Sequence, residues 1–235
     1  MDVKDIVKNT ALRHIAIIPD GNRRWAKEHL LPTLMGHKKG VEALKNIVKA
    51  CAEFDIKYLT MYAFSTENWN RKQEEVDYLM DLLANTIKNE LSELYDKNVK
   101  LTFLGNLKEL NENLQIILQD AVDKTKNNTG VNLNIAINYG ARDEITTAVK
   151  NIVSKGYKPE EINEKLISDN LYTKDIPDPD LLIRTSGEKR ISNYLLWQIA
   201  YCEIYITDKY WPEFDREELK IAIEEFAKRQ RRWGK

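Results

Sequence analysis

The sequence predicts an α/β fold, a single domain with a central, mainly parallel six-stranded sheet flanked by helices. Two observations lead to this prediction. Short apolar runs typical of buried strands alternate, along the 235 residues, with longer segments whose apolar residues recur at helical spacing. Strands separated by helices are joined by right-handed crossovers, which set the strands parallel in one sheet. No long linker rich in Pro, Gly or Ser interrupts the chain, so we expect one domain over residues 1–235.

The predicted elements follow one another in a regular order. Strands are expected near residues 13–18, 57–64, 99–104, 131–138, 180–185 and 203–207. Helices fill the intervals, and two of them have a continuous apolar face. The first face consists of Val41, Leu44, Val48 and Cys51, and the second of Val76, Leu79, Leu83, Ile87, Leu91 and Leu94.

The composition excludes several classes of protein. The formal net charge is −1 and the charged residues are spread evenly, so the basic stripe of a nucleic-acid-binding protein is missing and we expect no nucleic-acid partner. The two cysteines lie far apart, and we find neither a secretory segment nor an apolar run of membrane length. We therefore expect a cytoplasmic protein in which Cys51 is a packed thiol.

Four of the predicted strands are followed by polar segments that contain arginine. In open parallel sheets, ligands bind beyond the carboxyl ends of the strands. The segments are residues 20–24 (DGNRR), 62–71 (YAFSTENWNR), 138–142 (NYGAR) and 183–192 (IRTSGEKRIS). A guanidinium group binds two phosphate oxygens at once, so the pattern favours a phosphorylated ligand. Any one of these arginines, taken alone, is compatible with an ordinary surface residue.

The first of these segments has the features of a site for a magnesium diphosphate. The apolar run of residues 15–18 stops at Asp20, and Gly21 allows the backbone to turn closely into the next helix. Asp20 supplies the oxygen ligand that Mg²⁺ prefers, and Arg23 and Arg24 add positive charge. From this segment alone an alternative stays open, in which Asp20 is only a helix N-cap and the arginines are solvated.

The motifs of other phosphate-handling enzymes are missing from the sequence. Neither GxxxxGK[ST] nor GxGxxG occurs, so nucleoside triphosphates and dinucleotides are not indicated. No second carboxylate follows Asp20 in a DxD pattern, which argues against an aspartyl-phosphate enzyme. There is also no DDxxD cluster of the kind on which trans-type prenyl synthases carry their metal.

Six segments spread over nearly the whole chain resemble the cis-prenyltransferases, most closely the bacterial undecaprenyl diphosphate synthases. They are residues 14–25, 36–38, 62–71, 138–142, 184–192 and 197–211. The resemblance implies a homodimeric enzyme that condenses isopentenyl diphosphate repeatedly onto an allylic primer, usually farnesyl diphosphate, with Mg²⁺ as cofactor. The implied product is a long-chain Z-polyprenyl diphosphate such as the undecaprenyl carrier lipid of cell-wall synthesis. A shorter-chain synthase and a noncatalytic accessory subunit of the same fold are the alternatives.

The resemblance also implies roles for individual residues. Asp20 and Glu203 match the metal-binding carboxylates, and Asp20 and Asn68 match the catalytic positions, although a neutral amide such as Asn68 is a poor proton acceptor and suits substrate orientation or proton relay. The implied substrate-binding residues are Gly21, Asn22, Arg24, Trp25 and His37 for the allylic diphosphate, with Arg23 added from the same segment, Ser65, Thr66, Glu67, Trp69 and Arg71 in the second segment, and Arg184, Arg190, Ile191 and Ser192 for isopentenyl diphosphate.

The sequence departs from the family pattern at several positions, two of them in the allylic site. Thr33 stands where bacterial members usually have an arginine, which removes an expected diphosphate contact. Arg23, which is usually glycine in the family, lies in the same segment of the site and is able to restore the missing charge.

The implied hydrocarbon product requires an apolar tunnel. We expect its walls from the helices near 41–54 and 76–94, with Ala63 and Ile137 setting its depth, although the same apolar faces are typical of any core helix. The chain ends in a predicted amphipathic helix over residues 217–233 with the basic sequence KRQRRW at 228–233. These cations offset the helix dipole, or they contact anionic lipid at the inner face of the membrane.

Overall fold

The computed structural model describes residues 2–229 and contains one six-stranded sheet. The strands are β1 (His14–Ile18), β2 (Tyr58–Ser65), β3 (Lys100–Leu104), β4 (Asn132–Tyr139), β5 (Leu181–Arg184) and β6 (Glu203–Ile206). Their order across the sheet is β3-β4-β2-β1-β5-β6, and every neighbouring pair is parallel. The predicted fold class is thus confirmed, and the sheet is entirely rather than mainly parallel.

Helices cover the sheet and supply the crossovers between the strands. They are α1 (Val3–Thr10), α2 (Asn22–Glu28), α3 (Thr33–Glu53), α4 (Gln73–Asp96), α5 (Glu112–Thr125), α6 (Ala141–Ser154), α7 (Glu164–Ser168) and α8 (Arg216–Lys228). Short 3₁₀ turns lie at Thr66–Asn70, Leu107–Glu109, Pro159–Glu161 and Trp211–Glu213. The helix predicted near 41–54 begins eight residues earlier, at Thr33, because Pro32 fixes the backbone just before the first turn.

The strand order places a natural ligand crevice beside β1. The chain leaves β1 toward β2 on one side of the sheet, while β5 pairs with β1 on the other side. Such a reversal of direction opens a crevice at the carboxyl ends of the two central strands. All five residues of β1 and all four of β5 are buried, so this crevice has a rigid floor.

A cavity of about 560 Å³ lies between α3, α4 and the sheet. It extends from Asn22 and His37 at the carboxyl edge of the sheet to Leu94 and Val99 at the amino edge. Its wall is mainly apolar and includes Val41 and Leu44 on α3, Leu79, Leu83 and Ile87 on α4, and Met61 on β2. The two apolar helix faces found in the sequence therefore line an internal space as well as contributing to the core.

The two residues predicted to set the depth of this space have different positions. Ala63 lies in the cavity wall. Ile137 is fully buried and is not among the residues that line the cavity, so its role in setting the depth stays a prediction. The β4 residues Leu133 and Ile135 line the cavity, and Ile137 lies on the same face of the strand, one step further toward its carboxyl end.

Within residues 2–229 no helix is long and apolar enough to cross a membrane. The last helix, α8, packs Leu219, Ala222, Ile223 and Phe226 into the core. Residues 230–235, which include most of the predicted basic cluster, lie outside the described residues, so its contact with lipid stays a prediction.

Candidate active site

The carboxyl ends of β1 and β5 join through Asp20 and Arg184. The guanidinium Nη2 of Arg184 donates to Oδ2 of Asp20 at 2.8 Å, and Nη2 of Arg24 lies 3.2 Å from the other carboxylate oxygen. The Arg184 side chain is 5% exposed, whereas that of Asp20 is 27% exposed. Two predicted site residues from distant parts of the chain therefore meet, and the Asp20 carboxylate is still accessible to a ligand.

This pairing keeps Asp20 ionised. Burial raises the pKa of the carboxyl group, but the hydrogen bond from Arg184 and the positive charges of Arg184 and Arg24 outweigh burial and hold the pKa below its usual value. An ionised carboxylate is the form that binds a divalent cation.

The backbone around Asp20 excludes the alternative that this residue is only a helix cap. The N-cap of α2 is Gly21, and no side chain caps the helix. Gly21 has φ +106°, and a Cβ atom there would lie 2.7 Å from the Tyr210 ring and 3.0 Å from Oγ of Ser186. A side chain at Gly21 would therefore be both strained and crowded.

The turn after β2 carries the second predicted segment. The side-chain oxygen of Asn68 accepts a hydrogen bond from the backbone N–H of Ser65 at 3.2 Å, which fixes the amide at the end of the strand. The indole of Trp69 donates to the side-chain oxygen of Asn138 at 2.7 Å. The ends of β2 and β4 are thereby tied together, as the sequence predicted for neighbouring strand ends.

His37 and Arg71 meet at Glu75, a residue that the sequence analysis missed. Nη1 of Arg71 lies 3.0 Å from a Glu75 oxygen, and Nε2 of His37 lies 3.6 Å from the same oxygen. Burial and the nearby charge of Arg71 lower the pKa of His37 to about 4, although Glu75 opposes this shift. His37 is therefore neutral at pH 7, with a ring nitrogen free to bond a ligand.

Glu188 links the two predicted diphosphate pockets and was also missed. One of its oxygens accepts from Arg24 at 3.0 Å, and the other accepts from Arg190. Arg184 in turn donates to Oγ of Ser192 at 2.8 Å and to the backbone carbonyl of Arg190. A glutamate between arginines gave no signal in the sequence, because its partner Arg24 lies 164 positions away.

Several buried polar atoms in this region have no hydrogen-bond partner. They include Oδ1 of Asn22, Nε2 of His37, Nε of Arg184 and Oγ of Ser186. Unpaired buried polar atoms are uncommon in folded proteins, and each one is a candidate contact for a ligand. All four lie near the carboxyl ends of β1 and β5 or at the adjoining mouth of the cavity.

Glu203 is not brought to Asp20 within this chain. It opens β6 and pairs with Leu181, whereas Arg184, which contacts Asp20, pairs with Ile206. Glu203 thus lies three residues back along the sheet, about 10 Å at 3.3 Å per residue. Its carboxylate instead pairs with Arg229 at 2.9 Å. Glu203 therefore does not share a cation with Asp20 of its own chain, and its role as a metal ligand stays a prediction.

Three other predicted residues contribute less directly. The indole N–H of Trp25 donates to Glu213 at 3.1 Å, so it is not free for a ligand. Ile191 packs against a buried cluster that contains Tyr62 and Tyr194. Arg23 is exposed, and its positive charge contributes to lowering the pKa of His37.

The residues present fit a magnesium ion that is held mainly by its ligand. No group of three or more potential metal-binding side chains occurs within residues 2–229, so a closed protein site is missing from the described part of the chain. Mg²⁺ is commonly held by one or two carboxylates together with substrate phosphates and water. The ionised, partly exposed Asp20 beside Arg24 and Arg184 meets this description.

Comparison with known proteins identifies the family. Residues 18–234 match a family model described as "Putative undecaprenyl diphosphate synthase". The isoprenyl transferase of Clostridium tetani is 50% identical over 94% of this chain and 89% of its own length. That of Neisseria gonorrhoeae is 46% identical over 98% of this chain and 92% of its own length.

Solved structures agree with this result. Lavandulyl diphosphate synthase from Lavandula x intermedia, in complex with dimethylallyl diphosphate, has a TM-score of 0.92 at 34% identity and covers 95% of this chain and 98% of its own. A probable undecaprenyl diphosphate synthase from Campylobacter jejuni has a TM-score of 0.81 at 35% identity, covering 95% and 99%. The chain therefore belongs to the undecaprenyl diphosphate synthase family and is a cis-prenyltransferase.

Proposed function

We propose that this cis-prenyltransferase condenses isopentenyl diphosphate repeatedly onto farnesyl diphosphate and releases a long-chain Z-polyprenyl diphosphate of undecaprenyl length. The observation that carries the proposal is the position of the Asp20, Arg24 and Arg184 cluster beside the mouth of an apolar cavity. Such a site holds diphosphates at the protein surface while it keeps a hydrocarbon chain away from water.

Two diphosphate pockets meet at Glu188. The allylic diphosphate is assigned to Asn22, Arg24 and His37, because Asn22 and His37 have unpaired buried atoms and line the cavity. Isopentenyl diphosphate is assigned to Arg190 and Ser192, which lie on the other side of Glu188 and beside Arg184. Arrival of the two substrates would release Arg24 and Arg190 from Glu188 to bind phosphate oxygens.

Mg²⁺ is assigned to Asp20. When it is bound there with a diphosphate, it neutralises negative charge on the leaving group. Arg24 and Arg184 add fixed positive charge at the same place, and their contacts with Asp20 hold them in position. Glu203 stays a predicted ligand, but only for a cation that it does not share with Asp20 of its own chain.

The reaction requires alignment more than a strong base. In each cycle the bond between C1 of the primer and its diphosphate breaks, and the terminal alkene carbon of isopentenyl diphosphate forms a bond to C1. This leaves a cation at C3 of the isopentenyl unit, and loss of a proton from its C2 methylene to the departing diphosphate forms the new double bond. Asn68 is assigned to orienting this unit, because its side-chain oxygen is held by the backbone N–H of Ser65 and its amide N–H groups are free of that bond.

The growing chain is assigned to the cavity between α3 and α4. Ala63 is a small residue in its wall, so a larger side chain there should shorten the product. We also propose a homodimer, for which the exposed Val149, Val153 and Tyr201 are candidate interface residues. The accessory-subunit alternative is disfavoured because Asp20, Arg24 and Arg184 are all present and joined.

The direct test is to incubate the purified protein with Mg²⁺, radiolabelled isopentenyl diphosphate and a primer, and to determine product length by chromatography. Parallel reactions would contain farnesyl or dimethylallyl diphosphate, the latter being the molecule bound in the lavandulyl diphosphate synthase structure. Long products from farnesyl diphosphate, lost when a chelator is added, would support the proposal. Short products, or equal use of dimethylallyl diphosphate, would replace it with a shorter-chain synthase.

A further inference from the structure

Asn193 connects three loops at the carboxyl edge of the sheet. Its side-chain N–H donates to the Glu67 carboxylate at 2.9 Å, and its side-chain oxygen accepts from the backbone N–H of Arg142 at 3.0 Å. Its backbone carbonyl accepts from Ala141 at 2.8 Å. The loop after β5 is thus bonded to the turn after β2 and to the start of α6 after β4.

The backbone at this point has an unusual conformation. Ser192, Asn193 and Leu195 have φ values of 48°, 60° and 48°, in the left-handed region that non-glycine residues rarely adopt. Asparagine tolerates this region better than most residues. A conformation of this cost persists only where surrounding contacts determine it, and such residues cluster at functional sites.

Neighbouring residues leave room for the Asn193 side chain to reach Glu67. A Cβ atom on Gly140 would lie 2.9 Å from the side-chain nitrogen of Asn193 and 2.7 Å from Oγ1 of Thr66, so only glycine leaves room for both. The ring of Tyr194 stacks on Tyr62 at 4.3 Å, and the hydroxyl of Tyr62 donates to the backbone carbonyl of Ser192 at 3.3 Å. The position of Asn193 is therefore fixed by Gly140 on one side and by the contacts of Tyr62 with Ser192 and Tyr194 on the other.

The residues joined by Asn193 carry different assigned parts of the reaction. Ser192, immediately before it, is bonded to Arg184 in the isopentenyl diphosphate pocket. Glu67 immediately precedes Asn68, which is assigned to orienting the isopentenyl unit. A shift of one loop against the other would move the diphosphate end of this substrate relative to its reacting carbon atoms.

We propose that Asn193 is a positioning residue that sets the distance between the isopentenyl diphosphate pocket and Asn68 through its hydrogen bond to Glu67. The inference rests on the proposed function of these two sites. A displacement of about 1 Å in the position of a substrate can cost on the order of 100-fold in rate, so the effect should appear mainly in kcat.

The test uses two substitutions that exchange donor and acceptor. Asn193→Asp keeps the acceptor for Arg142 and tolerates the left-handed backbone, but it faces Glu67 with a like charge. We expect kcat to fall 10-fold to 100-fold while KM for the primer stays within twofold. Adding Glu67→Gln supplies an amide donor to the new carboxylate, and the double variant should return to within threefold of Glu67→Gln alone.

A matched control is available at the opposite edge of the sheet. Asn98 also has a left-handed backbone, with φ 59°, and its side chain makes two similar bonds to Thr129. Asn98→Asp should leave kcat and both KM values unchanged. Asn193→Gly, which keeps the backbone conformation without the side chain, should lower kcat as Asn193→Asp does, and thermal unfolding would confirm that each variant is folded.

The outcomes distinguish the positioning role of Asn193 from the proposed function. If the wild-type enzyme is active, the role of Asn193 alone would be overturned by an unchanged kcat in Asn193→Gly. It would also be overturned if Glu67→Gln did not restore the kcat lost in Asn193→Asp. A wild-type protein that forms no polyprenyl product would overturn the proposed function and this inference together.

Discussion

The sheet has an amino edge, where its six parallel strands begin, and a carboxyl edge, where they end. The two differ in how completely their buried polar groups are hydrogen-bonded. At the amino edge, His14 is buried with one ring nitrogen 2.6 Å from the Pro177 carbonyl and the other 2.7 Å from Oγ1 of Thr60. Asp180 accepts from the backbone N–H groups of Arg13 and His14. These groups are occupied by the protein itself, as is usual for buried polar groups, and the exception in this network is Oδ1 of Asn134, whose amide nitrogen bonds Thr60.

The carboxyl edge is different. Buried atoms of Asn22, His37, Arg184 and Ser186 have no partner there, and the arginines that surround Asp20 are held by carboxylates that a diphosphate can replace. A buried polar atom without a partner costs stability, so four such atoms close together at the carboxyl edge indicate contacts that a ligand would make. A ligand with many oxygens completes the pairing.

The largest effect should come from Asp20→Ala. We expect condensation to fall by at least about 10³-fold, because removing the carboxylate removes the metal contact and leaves Arg184 buried without its partner. Product formation at saturating substrate would be measured together with thermal unfolding. Because Arg184 loses a buried ion-pair partner, a modest drop in Tm is compatible with the role, whereas turnover near the wild-type value would contradict it.

Arg190→Ala should have the next largest effect and should act on one substrate. A charge-assisted hydrogen bond contributes about 1.5–3 kcal/mol, and the lower end applies here because the side chain is 60% exposed. We expect KM for isopentenyl diphosphate to rise about tenfold with little change for the primer. Equal weakening of both substrates would show that the two pockets are wrongly separated.

At the amino edge, His14 should make the free energy of unfolding depend on pH. Burial lowers the pKa of His14 to about 4, against 6.5 for an exposed histidine. Between pH 6.5 and 4 the unfolded chain therefore binds a proton that the native state does not, so stability is complete above pH 6.5 and is lost as the pH falls. The loss should approach about 1.4 kcal/mol per pH unit and should be smaller in His14→Asn, as measured by urea unfolding.

His37 provides the contrast at the carboxyl edge. Its pKa is also lowered to about 4, but its ring faces the proposed diphosphate site. Adding Mg²⁺ and inorganic diphosphate should raise the pKa of His37, because a bound anion favours the protonated ring, and should leave that of His14 unchanged. A ring-proton NMR titration would distinguish the two, and a parallel shift of both histidines would contradict the difference between the edges.

The sequence was sufficient to predict those features that depend on one segment at a time. The six strands, the long apolar faces of α3 and α4, and the position of Asp20 after β1 all follow from local periodicity and from the abrupt end of an apolar run. The sequence also predicted that the segments after β1, β2, β4 and β5 lie at one edge, because parallel strands all end at the same edge of their sheet.

Features that depend on register or on long-range pairing could not be predicted. The resemblance implied a metal-binding role for Glu203 but not its place in the sheet, because only the register of β6 against β5 shows that it lies at the amino edge. Ile137 shares a face of β4 with Leu133 and Ile135, yet only these two line the cavity, and the alternation along one strand does not reveal where the cavity wall stops. Glu188 and Asn193 became visible only when the structure brought Arg24 and Glu67 to them.

The smallest effect is expected at Arg23, the exposed cation of the carboxyl edge. If its charge replaces the arginine that Thr33 lacks, Arg23→Gly should raise KM for the allylic primer severalfold, and adding Thr33→Arg should restore it. A primer diphosphate beside Mg²⁺ needs nearby positive charge, and the source of that charge matters less than whether the guanidinium reaches the phosphate. The positive charge of Arg23 already contributes to lowering the pKa of His37, which lines the cavity at the allylic site. Steady-state kinetics with varied primer would decide, and an unchanged KM in Arg23→Gly would leave Arg24 and His37 as sufficient for primer binding.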